Sequence, residues 1–105
     1  MSEKEAEFKA MVAEFPDAAM AHFSLGKVYL DESRWREAAA SFSTAVKLDD
    51  TYAAAWVALG DAWAGAGQSE EAKAAWNRAL STPLGKRDAS LQSDLADRVA
   101  ELSRS

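Results

Sequence analysis

The sequence contains no cysteine, and this absence excludes several kinds of chemistry. A chain without thiols has no disulfide framework, no thiolate nucleophile and no cysteine-ligated metal site. The single histidine, His22, lies among apolar residues and one phenol on its predicted helix face, without the convergent partners that a general base or a metal ligand needs. Paired acidic residues fall at predicted helix ends or on solvated faces, where solubility explains them. We therefore expect no catalytic residue, no metal and no cofactor.

Long apolar runs are missing as well. No segment approaches the roughly 20 consecutive apolar residues that span a bilayer. The first residues, MSEKEAEFKAMVAEF, lack the basic leader and apolar run of a secretory signal. From these two observations we expect a cytoplasmic protein without a membrane partner.

Basic residues are outnumbered in this chain. Twelve lysines and arginines stand against 17 aspartates and glutamates, which gives a net charge of -5. Such a charge repels phosphate backbones and anionic lipid surfaces. RNA binding would likewise require a basic surface, so nucleic acid is not an expected partner.

Proline is scarce, and this favours helix over the other regular structures. The chain has two prolines in 105 residues, together with many alanines, leucines, glutamates and lysines. Hydrophobic residues make up 49% of the sequence, which is enough for a core and argues against intrinsic disorder. The composition predicts a single all-α domain.

A repeat of 34 residues runs through the middle of the chain. Gly26 and Gly60 lie inside the helix-forming stretches HFSLGKVY and WVALGDAW and are separated by that interval. The same offset pairs His22 with Trp56, Leu25 with Leu59, Tyr29 with Trp63, Ala38 with Ala72, Phe42 with Trp76, Ala45 with Ala79 and Val46 with Leu80. A period of this length is typical of stacked repeats.

Each unit is predicted to contain two antiparallel amphipathic helices, because its apolar residues recur at alternating spacings of three and four. A glycine inside a helix costs roughly 1 kcal/mol relative to alanine. We expect Gly26 and Gly60 to offset that cost by facing the partner backbone where the two helices approach closely.

The ends of the helices also have predicted signals. Asp17, Thr51 and Ser69 stand where N-caps are expected. Gly65 and Gly67 are expected to end a helix in the left-handed conformation.

The two units resemble the tetratricopeptide repeat (TPR) family, whose signature combines Trp, Leu-Gly, Tyr, Ala, Phe and Pro at fixed spacings. The second unit matches at Trp56, Leu59, Gly60, Trp63, Ala72 and Trp76, the first at Leu25, Gly26, Tyr29, Ala38 and Phe42, and the N-terminus at Phe8, Met11 and Pro16. The resemblance implies a right-handed α-solenoid of antiparallel helix pairs with about six helices. It divides the chain into a half-repeat helix (3–15), two repeats (19–52 and 53–86) and a C-terminal capping helix (88–103).

In the family, the first helices of successive units line a concave groove that binds peptides or helices. By this resemblance, eight residues are predicted to line the groove here: Met20, Phe23, Lys27, Leu30, Ala54, Val57, Asp61 and Ala64. Lys27 and Asp61 would supply polar contacts. An alternative is that Met20 and Phe23 only pack on the N-terminal helix. The carboxylate clamp of chaperone-binding members is not expected, because Phe23, Lys27 and Ala58 replace its lysine and asparagines.

These observations favour a non-enzymatic adaptor or scaffold that binds a peptide or amphipathic helix of another protein in an apolar groove. The alternative is a self-associating unit that forms a homodimer through the groove or the N-terminal helix. The four tryptophans are interpreted as core aromatics, since most of them fall on signature positions.

Overall fold

The computed structural model describes residues 2–104, which form seven helices and no strand. The helices are α1 (Glu3–Glu14), α2 (Ala19–Asp31), α3 (Trp35–Leu48), α4 (Ala53–Gly65), α5 (Ser69–Ser81), α6 (Pro83–Arg87) and α7 (Ala89–Ser103). The all-α prediction is confirmed, with one short helix, α6, beyond the six expected. A helix of five residues is too short to show the periodicity by which the longer ones are recognised.

Each helix packs mainly on its neighbours in the chain, as in a stacked helical array. One cluster of buried side chains lies among α2, α3 and α4 around the fully buried Phe42. A second cluster joins α5 to α7 and is centred on Trp76 and Leu95. The helix bounds are compatible with the predicted division into a half repeat, two repeats and a cap, and that division stays a prediction.

Gly26 and Gly60 lie where the second helix of each pair places an aromatic ring. A β-carbon on Gly26 would lie 2.6 Å from Cε1 of Phe42, and one on Gly60 would overlap Nε1 of Trp76. A small residue is therefore required at both positions, as expected. The approaching group is a side-chain ring, however, and not the backbone of the partner helix.

The helix-end predictions are only partly correct. Gly67 has a φ of 81°, in the left-handed region as predicted. Gly65 is instead the last residue of α4, where a β-carbon would collide with the ring of Trp35.

The predicted N-caps are wrong. Helices α2, α4 and α5 are preceded by Ala18, Tyr52 and Gln68, and none of these makes a side-chain capping bond. Asp17 and Thr51 lie one position too early, and Ser69 is already the first residue of α5. The Thr51 hydroxyl is used elsewhere, since it donates to Oδ1 of Asp49 at 2.7 Å.

The C-terminal helices are fixed by side-chain caps. The Thr82 hydroxyl accepts a bond from the Gly85 N–H at 3.1 Å at the start of α6. Oδ1 of Asp88 accepts a bond from the Leu91 N–H at 3.0 Å at the start of α7. The apolar face of α7 packs on the second cluster through Leu91, Leu95, Val99 and Leu102.

At the other end of the array, a buried carboxylate holds α1 against the turn between α2 and α3. Glu5 is only 2% exposed. Nη1 of Arg34 donates to its Oε1 at 2.7 Å, and Nζ of Lys9 lies 3.1 Å from its Oε2. The bond from Arg34, followed by that from Lys9, holds the pKa of Glu5 below its usual value.

Candidate functional site

Five of the eight residues predicted for the groove line a single cavity. The cavity has a volume of about 370 Å³ and is bounded by α2, α4, α6 and α7. The predicted members are Phe23, Lys27, Ala54, Val57 and Asp61. Leu84, Asp88, Leu91 and Arg98 are also in the wall. Sequence analysis missed these four because it predicted the groove only from the first helix of each unit, whereas Leu84 lies at the end of the second unit and the other three lie in the predicted cap.

The other three predicted residues lie outside this cavity. Met20 is 69% exposed at the start of α2. Leu30 packs against the cluster among α2, α3 and α4, and Ala64 packs against the cluster that contains Leu95 of α7. The cavity is therefore lined by the two central predicted residues of α2 and the first three of α4.

Phe23 forms an aromatic wall of the cavity. Its ring is half-buried. The centroid of the ring lies 5.7 Å from that of Phe42 and 5.0 Å from that of Tyr52. Both pairs are tilted, in the range of favourable aromatic contacts. The ring is therefore held by the core on one side while it lines the cavity on the other.

The polar groups of the cavity do not all remain free for a ligand. Nη1 of Arg98 donates to Oδ1 of Asp61 at 2.6 Å, and Nη2 of Arg98 donates to Oδ2 of Asp94 at 3.0 Å. Burial raises the pKa of Asp61 above its usual value, and Arg98 opposes that rise. Lys27 is exposed and makes no ion pair within residues 2–104.

A second cavity adjoins the first and was not predicted. It has a volume of about 540 Å³ and lies between α1 and α2. Phe23 and Lys27 line both cavities. The remaining walls include Phe8, Ser24, Val28 and Asp31. The sequence signal for this cavity was the N-terminal half repeat, which places Phe8 in the register of Phe42.

Residues 2–104 contain no cluster of His, Asp and Glu that could hold a metal ion. Nε2 of His22 lies 2.8 Å from the carbonyl oxygen of Pro16, in the turn before α2, which is within hydrogen-bonding distance. Among the same residues, no helix is long and apolar enough to cross a bilayer.

The tryptophans pack in the interior or against it. Trp76 is buried, and Trp35 lies against Gly65. Trp56 and Trp63 are half-buried and pack against both clusters. The guanidinium of Arg78 lies over the Trp56 ring, 4.5 Å from its centroid.

Comparison with known proteins finds similarity over nearly the whole chain. The tetratricopeptide repeat family model matches residues 5–49 and 25–90. A similar curated protein is "TPR repeat-containing protein PA0015" of Pseudomonas aeruginosa, which is 33% identical over 94 residues that make up 90% of each chain.

A similar solved structure is the solution structure of protein BPP2914 from Bordetella parapertussis. The two structures have a TM-score of 0.81 at 28% sequence identity. The similarity covers 99% of this chain and 90% of the other. The same helical architecture is thus present in both proteins.

Proposed function

Since this chain belongs to the tetratricopeptide repeat family, whose repeats generally mediate protein–protein interactions, we propose that it is a cytoplasmic adaptor or scaffold that binds a segment of a partner protein. The binding surface is the groove formed by the two adjoining cavities along α2. The family is a non-catalytic repeat family, and the proposal assigns no enzymatic step to this chain.

The observation that supports this proposal is the pair of cavities that share Phe23 and Lys27. A segment lying along α2 would contact both residues while it filled the space on either side of them. Its apolar side chains would pack on Phe23, Val57 and Leu84. Few, well-placed apolar anchors are the usual means by which grooves recognise peptides and helices.

The two charged residues predicted for the groove differ in whether they already bond to another side chain of the protein. Asp61 was predicted to contact the ligand, but its carboxylate bonds to Arg98 of α7. Lys27 makes no such bond within residues 2–104 and remains available for a carboxylate or carbonyl oxygen of the partner segment. The ligand is therefore an apolar or amphipathic segment with an acceptor group near its centre.

The test is selection of peptides on the immobilised protein from a displayed library, followed by anisotropy titration of the selected peptide. Ala54→Glu places a bulky charge on the exposed wall of the groove and should abolish binding. Phe23→Glu should do the same, but it removes two ring contacts, so its circular dichroism must be compared with that of wild type.

Phe15→Glu is the matched control, since Phe15 is 53% exposed and lines neither cavity. It should leave the affinity unchanged. Full binding to a folded Ala54→Glu variant, or an equal loss in Phe15→Glu, would refute the groove as the binding surface.

A second candidate function is homodimerisation through the groove or the N-terminal helix. It is supported by exposed apolar side chains at one end of α1 and α2: Met11 is 37% exposed, Phe15 53% and Met20 69%. Apolar surface of this kind is often covered by another protein. In this case the partner would be a second copy of the chain.

Light scattering over a wide concentration range distinguishes the two candidates. A stable dimer that becomes monomeric in Phe15→Lys or Met20→Lys would support self-association. A monomer at all concentrations would leave the groove free for a foreign segment and would exclude the homodimer.

A further inference from the structure

The two helix pairs have the same backbone structure at the turn between their helices. The Arg34 N–H donates to the carbonyl of Tyr29 at 2.9 Å, and the Gln68 N–H donates to that of Trp63 at 2.8 Å. The residue before Arg34 and the residue before Gln68 are both left-handed, with φ of 59° and 81°. Residues 29–38 and 63–72 are therefore structurally equivalent at an offset of 34.

In the first turn, the guanidinium of Arg34 lies on an aromatic ring and bonds to the carboxylates of Glu37, Glu5 and Glu32. The guanidinium carbon of Arg34 lies 4.5 Å from the centroid of the Tyr29 ring. Nε of Arg34 donates to Oε1 of Glu37 at 3.0 Å, and its Nη2 donates to Oε2 of the same residue. The Tyr29 ring stacks on one face of the guanidinium, and the Glu37 carboxylate accepts two hydrogen bonds from the edge of the guanidinium.

The second turn has the ring and the counterpart of Glu37 but not the cation, and alanines stand 34 residues after Glu5 and Glu32. The offset of 34 places Trp63 at the position of Tyr29 and Glu71 at that of Glu37. Gln68, a neutral side chain, stands at the position of Arg34. Trp63 is half-buried, whereas Tyr29 beneath Arg34 is only 7% exposed.

Trp63 and Glu71 line one shallow cavity of about 310 Å³, which the predicted function does not use. Its floor includes the small side chains of Ala74 and Ala75. Glu71 is exposed and makes no ion pair within residues 2–104. The nearby Lys73 pairs with the neighbouring glutamate, with its Nζ 3.9 Å from Oε1 of Glu70.

We propose that this cavity binds the guanidinium of an arginine side chain presented by a partner protein. The guanidinium takes the place that Arg34 occupies in the first turn, stacked on Trp63 and bonded to Glu71. Arginine fits better than lysine because its planar fork can bind a carboxylate in a bidentate manner while its face lies on an indole.

Arg78 lines the same cavity but uses a different ring. It lies over Trp56, one face of which is thereby covered. Trp63 is two helical turns further along α4 and receives no cation within residues 2–104. Arg78 therefore defines one end of the site and leaves the other end for the partner.

This site and the groove lie on different sides of α4. At about 100° per residue, Trp56 and Trp63 project about 100° to 160° away from Val57 and Asp61. One partner in the groove and an arginine at Trp63 could thus be bound at the same time. The proposal stands independently of the groove, because none of its residues lines either groove cavity.

The first test builds the missing cation into the chain. Gln68→Arg should reproduce the contacts that Arg34 makes with Tyr29 and Glu37 and raise the melting temperature by about 2–6 °C. Glu71→Gln should lower the melting temperature more in the Gln68→Arg background than in wild type. Glu70→Gln is the matched control and should have the same effect in both backgrounds.

The second test uses a free arginine as the probe. The indole N–H resonance of Trp63, assigned with a Trp63→Phe variant, should shift saturably on titration with the tripeptide acetyl-Gly-Arg-Gly-amide. Acetyl-Gly-Gln-Gly-amide should cause no shift. Both Glu71→Gln and Gln68→Arg should abolish the response to the arginine probe, and Glu70→Gln should retain it.

Two results would overturn the proposal. One is an unchanged or lower melting temperature for Gln68→Arg together with an equal effect of Glu71→Gln in both backgrounds. The other is the absence of a saturable shift with the arginine tripeptide, a shift that persists in Glu71→Gln, or a shift that appears equally for the glutamine tripeptide, since each would show that Trp63 and Glu71 do not form a guanidinium site.

Discussion

The indole ring of Trp76 lies so close to Gly60 that no β-carbon fits between them. Its Nε1 donates to the carbonyl of Val57, one turn earlier on the same helix as Gly60, at 3.2 Å. The glycine and the tryptophan thus set the separation of α4 and α5 together, and neither can be changed without moving the other.

Gly60→Ala should lower the free energy of unfolding by on the order of 1–3 kcal/mol, because the added methyl must displace the ring in a packed interior. The larger Gly60→Leu should lower it at least as much. Urea unfolding measures both. In a Trp76→Leu background the alanine substitution should cost less, and an unchanged midpoint in the wild-type background would contradict the packing account.

Ser33→Gly should raise the free energy of unfolding by about 0.5–1 kcal/mol, because Ser33 holds a φ of 59° that only glycine adopts without strain. Gly67→Ser, the reciprocal change in the equivalent turn, should lower it by a similar amount, since Gly67 has a φ of 81°. Thermal unfolding of Ser33→Gly, of Gly67→Ser and of the variant with both substitutions tests whether the two turns are equivalent. Shifts of the same sign in both would contradict it.

Glu5→Gln should destabilise the protein at neutral pH, because Arg34 and Lys9 would lose the buried carboxylate that joins α1 to the turn after α2. The folded pKa of Glu5 lies below its ordinary value of 4.5, so the stabilisation is complete above that pH. It is lost as the pH falls through the folded pKa. Melting temperatures measured from pH 7 downward should therefore converge for the variant and wild type.

Glu7→Gln is the matched control for this substitution, since Glu7 is exposed on the same helix. It should change the melting temperature little at any pH. A gap between Glu5→Gln and wild type that stayed constant into the acid range would show that the carboxylate charge is not what holds α1.

Arg98→Met should lower the free energy of unfolding by about 1 kcal/mol at neutral pH, because it leaves the half-buried carboxylate of Asp61 without its partner. Burial raises the folded pKa of Asp61, so the ionised form opposes folding above its ordinary pKa. The loss should diminish as the pH falls and Asp61 becomes protonated. Arg104→Met, at the exposed end of the same helix, should have little effect.

The repeat period made most of the helices predictable, because contacts between neighbouring helices recur at one offset. Gly26 and Gly60 followed from that offset, and the left-handed Gly67 followed from the glycines between the two helices of the second unit. The N-caps did not, since Asp17 and Thr51 are one position too far from their helices for a capping bond. A short polar side chain near a helix start is common in turns whether or not it caps.

The charged contacts between distant parts of the chain were the least predictable from the sequence. Asp61 bonds to Arg98, 37 residues away on a helix outside the repeat, and Glu5 bonds to Arg34 at a separation of 29 residues. Neither separation is a multiple of the period. The sequence pattern predicted Asp61 for the groove, and Asp61 lines the cavity bounded by α2, α4, α6 and α7, but only the position of α7 shows that its carboxylate is bonded to Arg98.

The packing of each helix on its neighbours in the chain has a kinetic consequence. Contacts that are close in sequence close short loops, so the entropy lost before they form is small and folding is fast. The central pair α3 and α4 has packed neighbours on both sides, whereas α1 and α7 each have them on one side only. Amide hydrogens should therefore exchange first at the two ends of the array and last at its centre.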